Sequence, residues 1–158
     1  MTTNRERIGQ TPLALALLAV VSLTSAPPAG AALGDDVLSV QADQLHMNGT
    51  LHTLEMPGCL RHEIQTPTGT VVREFSSPAG TIFGVSWEGP FLPDLRQLLG
   101  ASYDSYVQAA RKRRLGRGPL ILHLPELVFE STGHPRGFHG RAYVPRLLPE
   151  GVAIDGIR

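Results

Sequence analysis

The stretch from His62 to Gly100 reads HEIQTPTGTVVREFSSPAGTIFGVSWEGPFLPDLRQLLG, and the fold prediction starts from it. It contains one turn signal twice, at Thr66–Thr70 (TPTGT) and again at Ser77–Thr81 (SPAGT), eleven residues further on. Each turn lies between runs of β-branched and aromatic residues, which favour strands. The pattern therefore predicts a three-stranded antiparallel meander.

The first turn fixes a register. A proline at the first loop position and a glycine at the third suit a three-residue hairpin loop, in which the glycine takes the left-handed conformation. A two-residue loop would instead place Glu63 opposite Glu74, a like-charge pair that destabilises a sheet. With Pro67–Gly69 as the loop, three pairs face each other: Ile64 and Val72, Glu63 and Arg73, and His62 and Glu74.

The same reasoning at the second turn places Phe75 opposite Phe83, and it assigns the two faces of the sheet. The predicted core face carries apolar side chains from the last two strands: Val71, Phe75, Phe83, Val85 and Trp87. The Glu63–Arg73 pair is expected to point toward this face. The other face is expected to be mixed in character and only partly covered, with His62, Ile64, Val72, Glu74, Ile82 and Ser86.

Helices are predicted on both sides of the meander. Asp35 is a suitable N-cap for a helix that ends near Gly49, and Thr50–Glu55 follows as an edge strand. The prolines of Gly89–Pro93 cannot continue a central strand. Two further helices are therefore expected after them, at Leu95–Leu99 and at about 102–114.

Strand character returns after these helices. Residues 119–124 and 126–130 form one kinked strand or two, since only Pro125 separates them. A turn cluster at 132–137 precedes a return strand at Phe138–Val144. The predicted class is α+β, an antiparallel β-meander sheet with an N-terminal helix, two middle helices and C-terminal strands.

The first 31 residues have the features of a signal peptide. Arg5 and Arg7 form a basic region, Leu13–Leu23 is an apolar run of 11 residues, and Ala29–Ala31 fits a cleavage site. A membrane-spanning helix needs about 20 apolar residues, so the run is too short to cross a bilayer. We expect cleavage after Ala31 and a single exported domain over 32–158, in the periplasm or secreted.

Composition excludes several classes of function. The formal net charge is zero at pH 7, which gives no support for a nucleic-acid partner. The sequence has no glycine-rich phosphate loop, nucleophile elbow or Cys-x-x-Cys motif, and no cofactor is predicted. Its one cysteine, Cys59, cannot form an intramolecular disulfide, and it is either a free thiol, an intermolecular disulfide partner or a buried apolar residue.

His62 and Glu74 form the candidate catalytic pair, because a histidine beside a carboxylate can act as a general base. No serine or cysteine nucleophile is placed next to them by the pattern, and Cys59 lies three residues away along an extended strand. A solvated polar pair is the favoured interpretation. Catalytic residues are therefore not assigned.

The C-terminal histidines do not predict a metal site. His134 and His139 lie on a turn and its following strand, with His123 on an earlier strand. This spacing has no fixed geometry, unlike two histidines one helical turn apart. Exposed turn histidines are the favoured interpretation.

Five cations within seven residues form a basic cluster at the predicted end of the last helix: Arg111, Lys112, Arg113, Arg114 and Arg117. Such a cluster can contact anionic lipid headgroups. It also complements the negative end of a helix dipole on a solvated surface. Both interpretations stay open.

Several motifs resemble a known family. They are HEIQTP (His62–Pro67), GTVVREF (Gly69–Phe75), SPAG (Ser77–Gly80), WEGPFLPDL (Trp87–Leu95) and GRAYVP (Gly140–Pro145). Together with the leader and Ala32–Gly34, they resemble an uncharacterised family of exported proteobacterial proteins, domain of unknown function twenty-eight forty-four. The resemblance covers essentially the whole mature chain. It implies a bacterial exported protein and supplies no activity, cofactor or catalytic residue.

These features favour a small non-enzymatic exported module that binds an envelope protein or ligand. The alternative is an envelope hydrolase or thiol enzyme that uses His62, Glu74 or Cys59. A further alternative is an anionic membrane-surface binder acting through the basic cluster. A deep cavity that joins the three candidate side chains would favour the enzyme. An exposed apolar patch or an unpaired sheet edge without such a cavity would favour the binder.

Overall fold

The computed structural model describes residues 33–113 and 118–158. Within these residues, seven strands form one antiparallel sheet in the order β1-β2-β3-β4-β7-β6-β5. The strands are β1 Thr50–Met56, β2 Cys59–Gln65, β3 Val71–Ser76, β4 Ile82–Gly89, β5 Leu120–His123, β6 Val128–His134 and β7 Gly137–Tyr143. The helices are α1 Val40–His46, α2 Leu95–Leu99 and α3 Tyr103–Lys112. The predicted α+β class with a meander is confirmed.

The first hairpin has the predicted loop and register. Gly69 adopts a φ of 88°, and its amide donates a hydrogen bond of 3.0 Å to the carbonyl of Thr66. The amide of Thr66 donates in turn to the carbonyl of Thr70, which closes the three-residue loop. The three predicted pairs are observed: Ile64 with Val72, Glu63 with Arg73, and His62 with Glu74.

The predicted register of the second hairpin is wrong by one residue. Phe75 pairs with Gly84 instead of Phe83, because a β-bulge leaves Phe83 as an extra residue on β4. A shift of one residue moves the following side chains to the opposite face of the sheet. Val85 and Trp87 therefore do not share a face with Phe75.

This shift corrects the predicted assignment of the faces. The face expected to be mixed and partly covered is the main core of the protein, because all three helices contribute side chains to it. Ile64 and Val72 are fully buried there beside Val85 and Trp87. Helix residues packed into the same core are Val40, Leu95, Leu98, Leu99, Tyr103, Tyr106, Ala109 and Ala110.

The opposite face carries a second, smaller core. Cys59, Phe75, Phe83, Val128 and Tyr143 pack there with Ile157 from the C-terminal segment. That segment covers only part of the face. The Glu63–Arg73 pair shares this face, as expected, and stays partly exposed beside the apolar cluster.

The helices begin and end at capping residues. The N-terminal helix starts with a 3-10 turn, Val37–Ser39, whose cap is Asp36 instead of the predicted Asp35. The helix ends at His46 with Met47 as its C-cap, and Asn48, with a φ of 49°, takes the left-handed position that was predicted for Gly49. The carboxylate of Asp94 accepts a hydrogen bond of 2.9 Å from the amide of Arg96 and so caps α2.

Residues 119–130 form two strands, one on each side of Pro125, and not one kinked strand. β5 and β6 form a hairpin, and β7 lies between β6 and β4. The turn expected over 132–137 narrows to Pro135 and Arg136, because the strands β6 and β7 continue to His134 and Gly137. The C-terminal strands therefore extend the meander at its β4 edge.

Two of the predicted features lie outside the described residues. These are the signal peptide over 1–31, with its cleavage site, and the basic residues Arg114 and Arg117. Among residues 33–113 and 118–158, no helix is long and apolar enough to cross a membrane.

Candidate functional site

His62 and Glu74 are neighbours on adjacent strands, but their side chains bind different partners. The Nδ1 atom of His62 lies 3.1 Å from the hydroxyl of Thr53, and its Nε2 atom lies 2.9 Å from the hydroxyl of Ser76. Burial lowers the pKa of His62. The ring is therefore a neutral, buried bridge between three strands.

Glu74 belongs to a separate buried polar cluster. Its side chain is fully buried and lies beside Asp43 of α1, and Asp43 also accepts a hydrogen bond from the side-chain amide of Gln97. Burial, followed by the charge and hydrogen bond of Asp43, raises the pKa of Glu74 to about 10. Glu74 is therefore protonated at neutral pH, so it joins α1 to the sheet without burying a second charge.

Cys59 lies on the opposite face of the sheet from both residues. It is a free, buried thiol that packs in the smaller core with Phe75, and burial raises its pKa. A thiol with a raised pKa is a poor nucleophile at neutral pH. The structure therefore does not bring His62, Glu74 and Cys59 into one reactive site.

The basic cluster is partly described. Arg111 and Lys112 occupy the last turn of α3, and Arg113 follows as its C-cap. All three side chains are exposed. Their position matches the dipole interpretation and leaves them accessible to an anionic surface.

The C-terminal histidines do not converge. His134 hydrogen bonds to the carbonyl of Pro135 at the tip of the β6–β7 hairpin, and His123 is exposed on β5. In the part of the chain that the structure describes, no group of three or more His, Cys, Asp and Glu residues could hold a metal ion. His139 lines a groove instead.

That groove lies on the sheet face opposite the helices, beside the smaller core. Its volume is about 480 Å³, within the range of about 300–1,000 Å³ that is typical of small-molecule sites. Arg73, Ser86 and Arg141 contribute to it from adjacent strands. Its other lining side chains include Ile121, Glu130, Thr132, His139, Ile157 and Arg158.

A cross-strand row of five residues crosses the groove: Glu63, Arg73, Ser86, Arg141 and Glu130. Each residue is the direct partner of the next on neighbouring strands β2, β3, β4, β7 and β6. The row is symmetric in chemistry, with a serine at the centre, an arginine on each side, and a glutamate beyond each arginine. One guanidinium group therefore lies on each side of the Ser86 hydroxyl.

Each arginine of the row is held by its glutamate. The Nε of Arg73 donates to Glu63 at 2.9 Å, and the Nε of Arg141 donates to Glu130 at 3.0 Å. The Nη1 of Arg141 also donates to the carbonyl of Ile154 in the C-terminal segment. These contacts fix the two guanidinium planes and leave further N–H groups for a ligand.

Ser86 lies at the centre of the row and is 2% exposed. Within residues 33–113 and 118–158, its hydroxyl oxygen has no hydrogen-bond partner. A buried hydroxyl without a partner is costly, and it is uncommon in a native protein. No base contacts this hydroxyl in the described residues, so Ser86 is a hydrogen-bonding group and not an activated nucleophile.

The meander prediction contained only part of this row. Arg73 and Arg141 each lie opposite a glutamate on a neighbouring strand, in the pairs Glu63–Arg73 and Glu130–Arg141. The first pair was predicted. The second pair could be recognised only from the register of the β6–β7 hairpin. Ser86 joins the two pairs because β4 lies beside β7 in the sheet, and this pairing was not predicted.

A second cavity of about 350 Å³ lies near the first hairpin turn. The hydroxyl of Thr70 donates to the carbonyl of Phe91 at 2.9 Å and accepts from its amide at 3.3 Å. This reciprocal bond ties the turn to the segment that precedes α2. The lining of this cavity carries no arginine or lysine.

Comparison with known proteins gives one family. The model of a family described as protein of unknown function (DUF2844) matches residues 29–157. Neither the curated proteins nor the solved structures give a match.

Proposed function

We propose that this chain, which belongs to the family of proteins of unknown function DUF2844, is a small exported binding module that holds a polar ligand in the groove. The observation that carries the proposal is the cross-strand row, in which two fixed arginines flank the hydroxyl of Ser86. Functional sites are often concave and combine apolar walls with a few placed polar groups. The groove has this composition.

The arrangement favours binding over catalysis. His62, Glu74 and Cys59 line neither the groove nor the second cavity. His62 and Glu74 are held by buried contacts on one face of the sheet, and Cys59 packs in the smaller core on the opposite face. The edge strand β1 is also largely exposed, which is the feature expected of a binder.

Export is supported by the composition of the first 31 residues. A test is the N-terminal sequence of the protein recovered from its native cells, where we expect Ala32 as the first residue. Recovery of the uncleaved chain from the cytoplasm would contradict export. The same preparation supplies the mature protein for ligand identification.

The binding proposal is tested by native mass spectrometry of protein purified from the cell envelope. We expect a bound molecule in the wild-type protein and its loss in Thr132→Trp, because Thr132 is an exposed residue that lines the groove. Glu126→Trp is the control, since Glu126 is exposed and lies outside the groove lining. No bound molecule in any sample, or equal occupancy in both variants, would overturn the proposal.

The exposed cations at the end of α3 support a second candidate function, attachment to an anionic membrane surface. Arg111, Lys112 and Arg113 have no acidic partner among the described residues. Polybasic segments gain about 1 kcal/mol per cation near an anionic membrane. Sedimentation with anionic liposomes should fall when residues 111–114 are neutralised, and unchanged sedimentation would rule this candidate out.

A further inference from the structure

We propose that Arg73, Ser86 and Arg141 form a carboxylate-binding site, and that the ligand of the groove is a small organic acid. This inference rests on the proposed binding function and adds the chemical class of the ligand. It is carried by the positions of three side chains and by the charge balance of the groove.

The sheet places the three groups in one line. Neighbouring strands are about 4.8 Å apart, so Arg73 on β3 and Arg141 on β7 start about 10 Å apart, with Ser86 on β4 between them. Both arginines point to the face that carries the groove, and both line it. An oxyanion above Ser86 can therefore accept hydrogen bonds from both guanidinium groups and from the hydroxyl.

The arginines keep suitable donors. A guanidinium group has five N–H donors in a planar fork that matches the two oxygens of a carboxylate. In Arg73 the hydrogen bond to Glu63 uses only Nε, and Glu88 approaches its Nη1 at the longer distance of 3.9 Å. In Arg141 the bonds to Glu130 and Ile154 leave Nη2 available.

The hydroxyl of Ser86 completes the site. In the described part of the chain, two residues of the groove lining have a buried polar atom without a hydrogen-bond partner, the hydroxyl of Ser86 and the indole N–H of Trp87. Of these two, the Ser86 hydroxyl lies in the row between the arginines. A bound carboxylate would accept its proton in a hydrogen bond. This would satisfy both the hydroxyl and the remaining arginine donors.

Charge balance selects the class of oxyanion. The groove is lined by three arginines, Arg73, Arg141 and Arg158, and by two glutamates, Glu88 and Glu130. Glu63 neutralises Arg73 from outside the lining, so three cations are matched by three carboxylates, and a singly charged anion meets less repulsion here than a dianion. A dianion such as phosphate would meet repulsion from the two glutamates. The groove volume, together with Ile121 and Ile157, leaves room for an organic body attached to the carboxylate.

The test uses matched probes on the protein purified from the envelope and dialysed free of ligand. Calorimetric titration compares benzoate with benzamide, and glucuronate with glucose, with inorganic phosphate as a fifth probe. We expect at least one carboxylate to bind measurably, and its neutral counterpart to bind at least about tenfold more weakly, the usual difference when charge-assisted hydrogen bonds are lost.

Two variants connect this binding to the row. Ser86→Ala removes only the hydroxyl and should weaken the carboxylate about tenfold. Arg141→Gln should weaken it at least as much. Arg96→Gln is the matched control, because Arg96 lies on the helix side against Tyr103 and should bind as the wild type does. Circular dichroism of each variant separates lost binding from lost folding.

The outcomes distinguish the two proposals. A neutral molecule identified in the native complex would overturn the carboxylate inference and leave the binding module intact. Tighter binding of phosphate than of every carboxylate would overturn the charge argument. Carboxylate binding that survives Ser86→Ala and Arg141→Gln unchanged would place the site elsewhere and overturn the inference. Loss of binding in those variants, with Arg96→Gln unaffected, would support it.

Discussion

At the scale of single residues, burial decides what a polar side chain does. His62 and Glu74 were expected to form one solvated pair, and they are direct partners on adjacent strands. Both are buried, and each has its own set of contacts, His62 with two hydroxyls and Glu74 with Asp43 of α1. A buried carboxyl beside a second acid is stable only when it keeps its proton.

The protonated Glu74 predicts a pH dependence of stability. Its pKa is about 10 in the folded protein and 4.5 as the ordinary value, so the folded state holds a proton that the unfolded chain releases. The stabilisation is complete below pH 4.5 and is lost as the pH rises toward 10. We expect the stability of Glu74→Gln not to fall with rising pH in this way, because glutamine has no proton to release. At pH 7 its free energy of unfolding should exceed that of the wild type by up to about 3 kcal/mol.

Urea denaturation between about pH 7 and 8.5 measures the effect, since this window lies above the ordinary pKa of His62 and below that of Cys59. The wild-type free energy of unfolding should fall across the window, and that of Glu74→Gln should stay level. Glu55→Gln, an exposed carboxylate on β1, is the control. Parallel pH curves for wild type and Glu74→Gln would contradict the protonated state.

At the scale of the elements, short segments are defined by their ends. α2 has five residues, too few to be stable by itself, and it is anchored by the Asp94 cap and by the buried side chains of Leu98 and Leu99. The β-bulge at Phe83 is also local, and it changes the register of β4 against β3. One extra residue there decides which face receives Trp87.

We expect Asp94→Ala to destabilise the protein by about 1 kcal/mol, because the amides of Arg96 and Gln97 lose their acceptor. Thermal denaturation followed by circular dichroism measures the change. Gln108→Ala, at an exposed position within α3, serves as the comparison. If both substitutions shift the midpoint equally, the cap does not stabilise α2.

At the scale of the whole molecule, the two faces of the sheet are covered by different parts of the chain. The three helices cover one face, and the C-terminal segment after β7 covers part of the other. Ile157 is fully buried in that second core, beside the wall of the groove. The uncovered remainder of this face forms the groove.

We expect Ile157→Ala to destabilise the protein by about 2–4 kcal/mol, since it removes a buried branched side chain from a small core. Cys59 lies in the same core, so its thiol should also react faster with a disulfide reagent. Ile154→Ala is the matched control, because Ile154 is 39% exposed. An unchanged rate of thiol modification in Ile157→Ala would show that the segment does not protect this core.

The sequence by itself determined the local features: the class, the positions of nearly all strands and helices, and the first hairpin register. Proline and glycine turns, caps and strand-forming runs act over a few residues, so their signals can be recognised without the fold. Only the tertiary structure decided the identity of the core face and of the groove. Both depend on the bulge at Phe83, on where the helices pack, and on the pairing of β4 with β7, which joins residues distant in the chain.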